Sequence, residues 1–361
     1  MELDRFICKS YRDRKDSLKF SWSSPSNIAL VKYWGKNKDQ TPKNSSISFT
    51  LSTCNTKTSI VFSKIEKKLD VVDFTISYDG KIKNDFRPKI EKYFASIITY
   101  CPYLLHYNIK INTKNTFPHS SGIASSASGM SALSLCLMSF EKEISEEKFS
   151  NDFFFLKASF LSRIGSGSAC RSVYGGFNIW GKHQDFEQSS DLFSLRINQS
   201  ISAVFENFQD TILLVDENQK DVSSSAGHSL MDNHPFSVDR YVIANKNTSA
   251  LKVILEKGDL FAFCELVERE AMMLHSLMMT SIPSYLLMKP HTLEIIDEIK
   301  SFRNINQIPV CFTLDAGANV HVLYPEKDSK SVLDFINSKL SKYCFQGKFI
   351  TDHIGKGPEK I

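Results

Sequence analysis

Asn115–Lys142 reads NTFPHSSGIASSASGMSALSLCLMSFEK, and the way this stretch divides decides the fold. It follows LHYNIKINTKN (Leu105–Asn115), whose apolar residues alternate as in a strand. From Ile123 onward the apolar positions recur at helical spacing, with small residues crowding the start. The stretch is therefore read as strand, tight loop and buried helix. A helix entry carries unsatisfied N–H groups and a partial positive charge, so a Gly/Ser-rich approach lets phosphate oxygens reach the backbone. Ser121, Gly122, Ser125 and Ser126 are the candidate contacts. The alternative is a small-residue helix start packed closely on a sheet. The P-loop pattern GxxxxGK[ST] is absent, so a phosphate cradle here is of another kind.

Working outward, LKFSWSSPSNIALVKYW (Leu18–Trp34) predicts strand, turn, then strand or helix, and the Ser/Thr-rich Asn44–Lys64 predicts two strands. Asp79–Gly80 supplies a hairpin turn. Helices are expected over Pro88–Tyr100 and Asp152–Arg163, and VYGGFNIWGK resumes as strand. Beyond Ser200 longer helical patterns dominate, near Asp239–Glu256, Asp259–Met279, Thr292–Arg303 and Ser329–Lys342, with short strands at TILLVD and VCFTLDAGANVHVLYP. This is an α+β pattern, with a change of texture near residue 195 and a polar arm over the first 20 residues.

The 361 residues suffice for one large or two ordinary domains, and a 42% apolar fraction can bury a normal core. With 44 basic and 40 acidic residues the net charge is only +4, which gives no case for nucleic-acid binding. The eight cysteines stand singly, with no CxxC and no zinc-ligand spacing, so buried reduced thiols and a cytoplasmic setting are expected. No apolar run is long enough to span a bilayer, and the charged N-terminus has no signal-like core.

Three further segments carry chemistry. In PSNIALVKYWGKNKDQTPKNSSIS (Pro25–Ser48), Lys32 and Lys36 flank Tyr33, Trp34 and Gly35, a set that can hold a polyanion or can equally be an edge strand with solvent-facing lysines. GSGSACRS (Gly165–Ser172) resembles a linker, yet it runs straight into cysteine, arginine and aromatics that suggest burial. A buried Arg171 needs an anionic partner, structural or substrate. DAGANVHVLYP (Asp315–Pro325) places an aspartate at the end of an apolar strand, as an ordinary turn former or as a carboxylate beside a pocket.

Taken in order, NIALVKYWGK with NSSIS, FPHSSGIASSASG, GSGSACRSVYGGF, DVSSSAG (Asp221–Gly227) and DAGAN resemble the diphosphomevalonate decarboxylase family of the GHMP kinase superfamily. The resemblance runs from about Asn27 to Tyr324. It implies two α/β domains with the active site in the cleft between them: a ribosomal S5 domain 2-like domain over 21–195 and a ferredoxin-type domain over 196–361. It implies an ATP- and Mg2+-dependent decarboxylation of mevalonate 5-diphosphate, and a homodimer.

By matching position, Asp315 is the catalytic aspartate beside the 3-hydroxyl, and Lys32 holds it ionised and steadies the transferring phosphoryl group. Arg171 grips the C1 carboxylate with Ser168 at the same end. Tyr33, Trp34, Gly35, Lys36 and the loop Ser166, Gly167, Ser168, Ala169, Cys170 and Arg171 cradle the substrate, with Ser225 reaching in. Ser121, Gly122, Ser125 and Ser126 receive ATP phosphates, with Mg2+ bridging them, and no residue is assigned as a metal ligand.

There are departures. Ala318 stands where proline is usual, and Thr75 stands where many members have a diphosphate-binding arginine, which leaves a 5-monophosphate substrate open. The rival readings are a superfamily kinase or decarboxylase acting on mevalonate or its 5-monophosphate, and a catalytically silent binding protein of the same fold.

Overall fold

The computed structural model describes residues 3–12, 16–118, 123–197, 201–216, 222 and 224–361, with the side chain of Ser225 outside that set. Ser121 and Gly122 therefore lie outside the described residues. The strands are β1 (Leu18–Ala29), β2 (Ser46–Lys64), β3 (Asp73–Tyr78), β4 (Lys81–Ile82), β5 (Tyr107–Asn115), β6 (Phe177–Trp180), β7 (Ser194–Arg196), β8 (Gln209–Leu213), β9 (Cys311–Thr313), β10 (Val320–Tyr324), β11 (Phe349–His353) and β12 (Glu359–Lys360). Among the described residues they form two sheets. The first runs β12-β1-β2-β5-β3-β4, with β6 and β7 added beside β2; the second runs β11-β8-β10-β9.

Where two strands were expected over Asn44–Lys64, there is one strand of 19 residues that changes partners. Its first part, Ser46–Phe49, pairs with β6, and Thr56–Lys64 pairs with β5. No Gly or Pro interrupts it, so the chain has no local reason to turn. The backbone at the changeover is satisfied from the second sheet. The Asp352 carboxylate on β11 accepts the N–H groups of Ser52, Thr53 and Cys54 at 2.8, 2.9 and 2.8 Å. That carboxylate clasps the two sheets together.

The helices are α1 (Arg87–Ile97), α2 (Ser125–Ile144), α3 (Asn151–Gly165), α4 (Ser224–Ser229), α5 (Ser237–Lys257), α6 (Leu260–Met279), α7 (Pro290–Asn306) and α8 (Ser329–Phe335). The deciding stretch divides as read: β5 ends at Asn115 and α2 starts at Ser125, two residues after Ile123. The small residues of α2 let it lie close on the sheet, and its buried hydroxyls find partners there. Ser24 Oγ donates to Ser131 Oγ at 2.7 Å, Thr56 and Ser128 share a bond of 2.6 Å, and Trp22 Nε1 donates to Ser139 Oγ at 2.8 Å. Buried polar groups satisfied in this way fix the register of helix on sheet.

An apolar cluster fills the space between the first sheet and α1–α3, including Ile60, Phe62, Ile109, Leu133 and Phe140. A second joins Phe49 and Phe177 of the first sheet to Ile212 and Phe263 of the other half, and a third lies between the second sheet and α7–α8. All eight cysteines are buried and free.

The N-terminal arm is more than a polar extension. Phe6 is fully buried and stacks on Phe160 with ring centroids 4.3 Å apart, while Cys8 N–H and Arg12 N–H donate to the carbonyls of Tyr100 and Ile144. At one edge of the first sheet β12 pairs antiparallel with β1, Trp22 opposite Lys360 and Ser23 opposite Glu359. No helix among the described residues is long and apolar enough to cross a membrane.

Candidate active site

A cavity of about 380 Å³ opens between the two halves, and residues from the separate motifs meet in its wall. Lys32, Tyr33, Trp34 and Lys36 come from the segment after β1, Ser125 and Ser126 from the start of α2, and Ser166, Gly167, Ser168 and Arg171 from the loop after α3. Asp315 enters from the turn after β9, and Ser224 and His228 from α4.

At its centre Lys32 Nζ lies 3.0 Å from Asp315 Oδ1. The lysine side chain is 2% exposed and the carboxylate 29%, so the acid faces the cavity and the ammonium stands behind it. Burial lowers the pKa of Lys32, and the Asp315 charge opposes that shift. The Lys32 backbone is held just as firmly. Its N–H donates to Glu270 Oε2 at 2.8 Å, and its carbonyl accepts from Arg240 Nη2 at 2.9 Å. Arg240 and Glu270 in turn form a buried two-pronged ion pair at 2.8 and 2.7 Å. The VEREAMM stretch that contains Glu270 reads in sequence as ordinary helix packing, and its contact with Arg240 appears only once α5 lies beside α6.

The Asp315 turn is supported from two helices. His275 Nε2 bonds the Asp315 carbonyl at 3.1 Å, and Thr292 Oγ1 donates to the Ala318 carbonyl at 2.8 Å. Ala318, lacking the usual proline ring, is thus still anchored through its backbone.

GSGSACRS is no linker. It forms a short 3-10 helix, Gly167–Ser172, against α2 and α3. A Cβ at Gly167 would sit 2.8 Å from both the Tyr33 hydroxyl oxygen and the Trp180 ring, so a larger residue would have to displace these rings. Arg171 is 4% exposed; its Nε donates to Asn27 Oδ1 at 3.2 Å and its Nη1 to Ser46 Oγ. Two of its donors therefore aim the guanidinium, and its face on the cavity remains for an anion. Ser126 and Ser166 hydroxyls, 3.3 Å apart, join the α2 start to this loop.

Not every expected contact reaches the cavity. The helical winding of the loop turns Ala169 and Cys170 into the core, both fully buried, and burial pushes the Cys170 thiol up to about 12. Gly35 also lies behind the wall, with φ at +97°, where a Cβ would strike the Tyr241 ring. Thr75 is an exposed residue of β3, paired with Lys110, and reaches neither the cavity nor its neighbour.

A second chamber of about 180 Å³ adjoins the first and shares Lys89, Ser125 and Ser126 with it. Its walls are mostly apolar, including Ile76, Phe86, Ile111 and Leu133.

Two sheets with flanking helices and a shared cleft give the GHMP kinase-like architecture. Residues 24–192 match the diphosphomevalonate decarboxylase-like N-terminal domain, and residues 211–358 match the mevalonate 5-diphosphate decarboxylase C-terminal domain. The chain belongs to the diphosphomevalonate decarboxylase family.

The diphosphomevalonate decarboxylase of Ganoderma lucidum is 27% identical over 354 residues, 92% of this chain and 84% of that protein. The Candida albicans enzyme is 29% identical over 338 residues, covering 88% and 87%. Among solved structures, the complex of MDDEF with MVAPP, AMPPCP and magnesium is similar with a TM-score of 0.81 and 26% identity, over 96% of this chain and 99% of that one. The mevalonate diphosphate decarboxylase of Staphylococcus aureus gives a TM-score of 0.80 at 26% identity, over 96% and 98%.

Proposed function

We propose that the protein catalyses the ATP-dependent decarboxylation of (R)-5-diphosphomevalonate to isopentenyl diphosphate, releasing ADP, phosphate and CO2. The observation that carries the reading is the Lys32–Asp315 pair at 3.0 Å in one cavity with Arg171. A tertiary hydroxyl is a poor nucleophile and a poor leaving group, so it needs a carboxylate to take or orient its proton and a cation beside the transferring phosphoryl group. Asp315 and Lys32 fill these roles, and Arg171 with Ser168 holds the C1 carboxylate.

Once the 3-hydroxyl oxygen carries the phosphoryl group, the C3–O bond breaks and phosphate leaves. Electrons of the C1–C2 bond then form the C2–C3 double bond as CO2 departs. Tyr33, Trp34 and Lys36 line the remainder of the substrate site. Ser125 and Ser126, which line both chambers, would meet the phosphates of ATP, and the apolar chamber beside them would take its base; Ser121 and Gly122 precede them in the chain. Mg2+ bound with the nucleotide would neutralise phosphate charge.

A kinase that stops at phosphorylation has no need to grip the carboxylate that leaves, and a silent binding protein has no need of the Asp315–Lys32 pair. Purified protein with ATP, Mg2+ and mevalonate 5-diphosphate should release ADP, phosphate and CO2 in equal amounts. ADP without CO2 would point to the kinase, and the absence of both would refute the reading. The same assay with the 5-monophosphate settles the phosphorylation state. The domains divide near residue 195, and the protein is a cytoplasmic homodimer, which light scattering and cell fractionation test.

A further inference from the structure

Thr75, which stands where many family members have an arginine, does not line the cavity, and a further donor stands in the cavity wall. His228 is 8% exposed and lines the cavity. Its Nδ1 accepts the Gly35 N–H at 3.0 Å, which places the proton of the neutral ring on Nε2. The ring packs on Tyr33 and Trp34, with centroid distances of 4.4 and 4.5 Å, so its aim is fixed. Burial, then the charges of Lys36 and Arg171, lower its pKa to about 3, so it is a neutral donor at working pH.

The cations that line the cavity are Lys32, Lys36, Arg171 and, where it meets the second chamber, Lys89. Lys32 is committed to Asp315, and Arg171 to Asn27 and Ser46, whereas Lys36 Nζ bonds the neutral Gln40 side chain at 2.7 Å. The buried Tyr33 hydroxyl, which lies against Gly167, has no hydrogen-bond partner among the described residues.

We propose that His228 is a substrate-binding residue, its Nε2–H donating to a phosphate oxygen at the end of the substrate remote from Asp315, alongside Lys36 and the Tyr33 hydroxyl. This rests on the decarboxylase reading and deepens it: the phosphate tail is read partly by an uncharged imidazole.

Two variants separate binding from folding. His228→Asn keeps an acceptor near the Nδ1 position for Gly35 and removes the distal donor. His228→Gln keeps a distal N–H and loses the acceptor. Losing one hydrogen bond to a charged group should raise the KM for mevalonate 5-diphosphate by about tenfold in His228→Asn, with kcat within about twofold of wild type. His228→Gln should return KM toward wild type even where its melting temperature falls.

Wild-type KM in His228→Asn, or equal KM in both variants, would overturn the proposal. Calorimetric titration of mevalonate 5-diphosphate reads the same contrast without turnover. Tenfold weaker binding by His228→Asn supports the role even if no CO2 is formed, in which case only the reaction assignment fails. Equal binding by His228→Asn and wild type, or no binding by either, overturns it.

Discussion

Glu270→Ala tests whether the cleft is held together by charge buried beneath it. Glu270 accepts from Arg240 at 2.8 and 2.7 Å, from Asn247 at 2.5 Å and from the Lys32 N–H at 2.8 Å, and neither ionised side chain of the pair exceeds 1% exposure. Truncation leaves the Arg240 guanidinium buried without a counterion, at a cost of about 3–5 kcal/mol. For a cooperative unit of roughly 150–250 residues, each kcal/mol lowers the melting temperature by about 2–4 °C, so scanning calorimetry should show a fall of roughly 6–20 °C.

The double variant Glu270→Ala/Arg240→Met removes the stranded charge as well and should recover about half of that loss or more. Burial pushes the Glu270 carboxyl up, yet Arg240, Asn247 and the Lys32 N–H outweigh it and hold the pKa below the usual carboxylate range. A depressed folded-state pKa stabilises above the unfolded value and loses that contribution as pH falls through the folded one. The gap between wild type and Glu270→Ala should therefore be full at neutral pH and narrow in strong acid. A fall of less than about 2 °C at neutral pH, or a double variant as unstable as the single one, would refute the reasoning.

Three other substitutions probe the reaction and the fold. Asp315→Asn should lower turnover by about 10²–10⁴-fold while ATP binding by calorimetry survives, and substantial residual turnover would remove Asp315 from its role. Arg171→Lys keeps the charge and loses the planar fork, so kcat/KM should fall by roughly 10²-fold; a change under about threefold would mean that the carboxylate is held elsewhere. Phe6→Ala should cost about 3–5 kcal/mol in chemical unfolding, since the ring is fully buried against Phe160, and an unchanged midpoint would return the N-terminus to the status of a loose arm.

Residues whose chemistry is local were legible in the chain. The small-residue start of α2 carries its signal in composition and period, because a helix must change from period two to 3.6 where it begins. Lys32, Arg171 and Asp315 stand out as charged groups set against apolar runs. That all three stand on one cavity is a property of the fold, which no local pattern shows. Partnerships across long separations carried no signal. Arg240 and Glu270 are 30 residues apart, and Asp352 reaches N–H groups about 300 residues away. His228 lies 193 residues from the Gly35 N–H that sets its tautomer.

By itself, the sequence determined the α+β pattern, the helix entry after β5 and the family likeness, and it singled out charged residues that the fold brings to one cavity, since these rest on residue type, spacing and local propensity. Tertiary structure alone decided that Ser46–Lys64 is one strand, because a strand ends where its partners end and those come from elsewhere. It alone turned Ala169 and Cys170 inward, buried Phe6, and set Lys32 behind Asp315 on a foundation of Arg240 and Glu270. Burial and long-range contact are properties of the packed chain, and side chains acquire them only when distant segments meet.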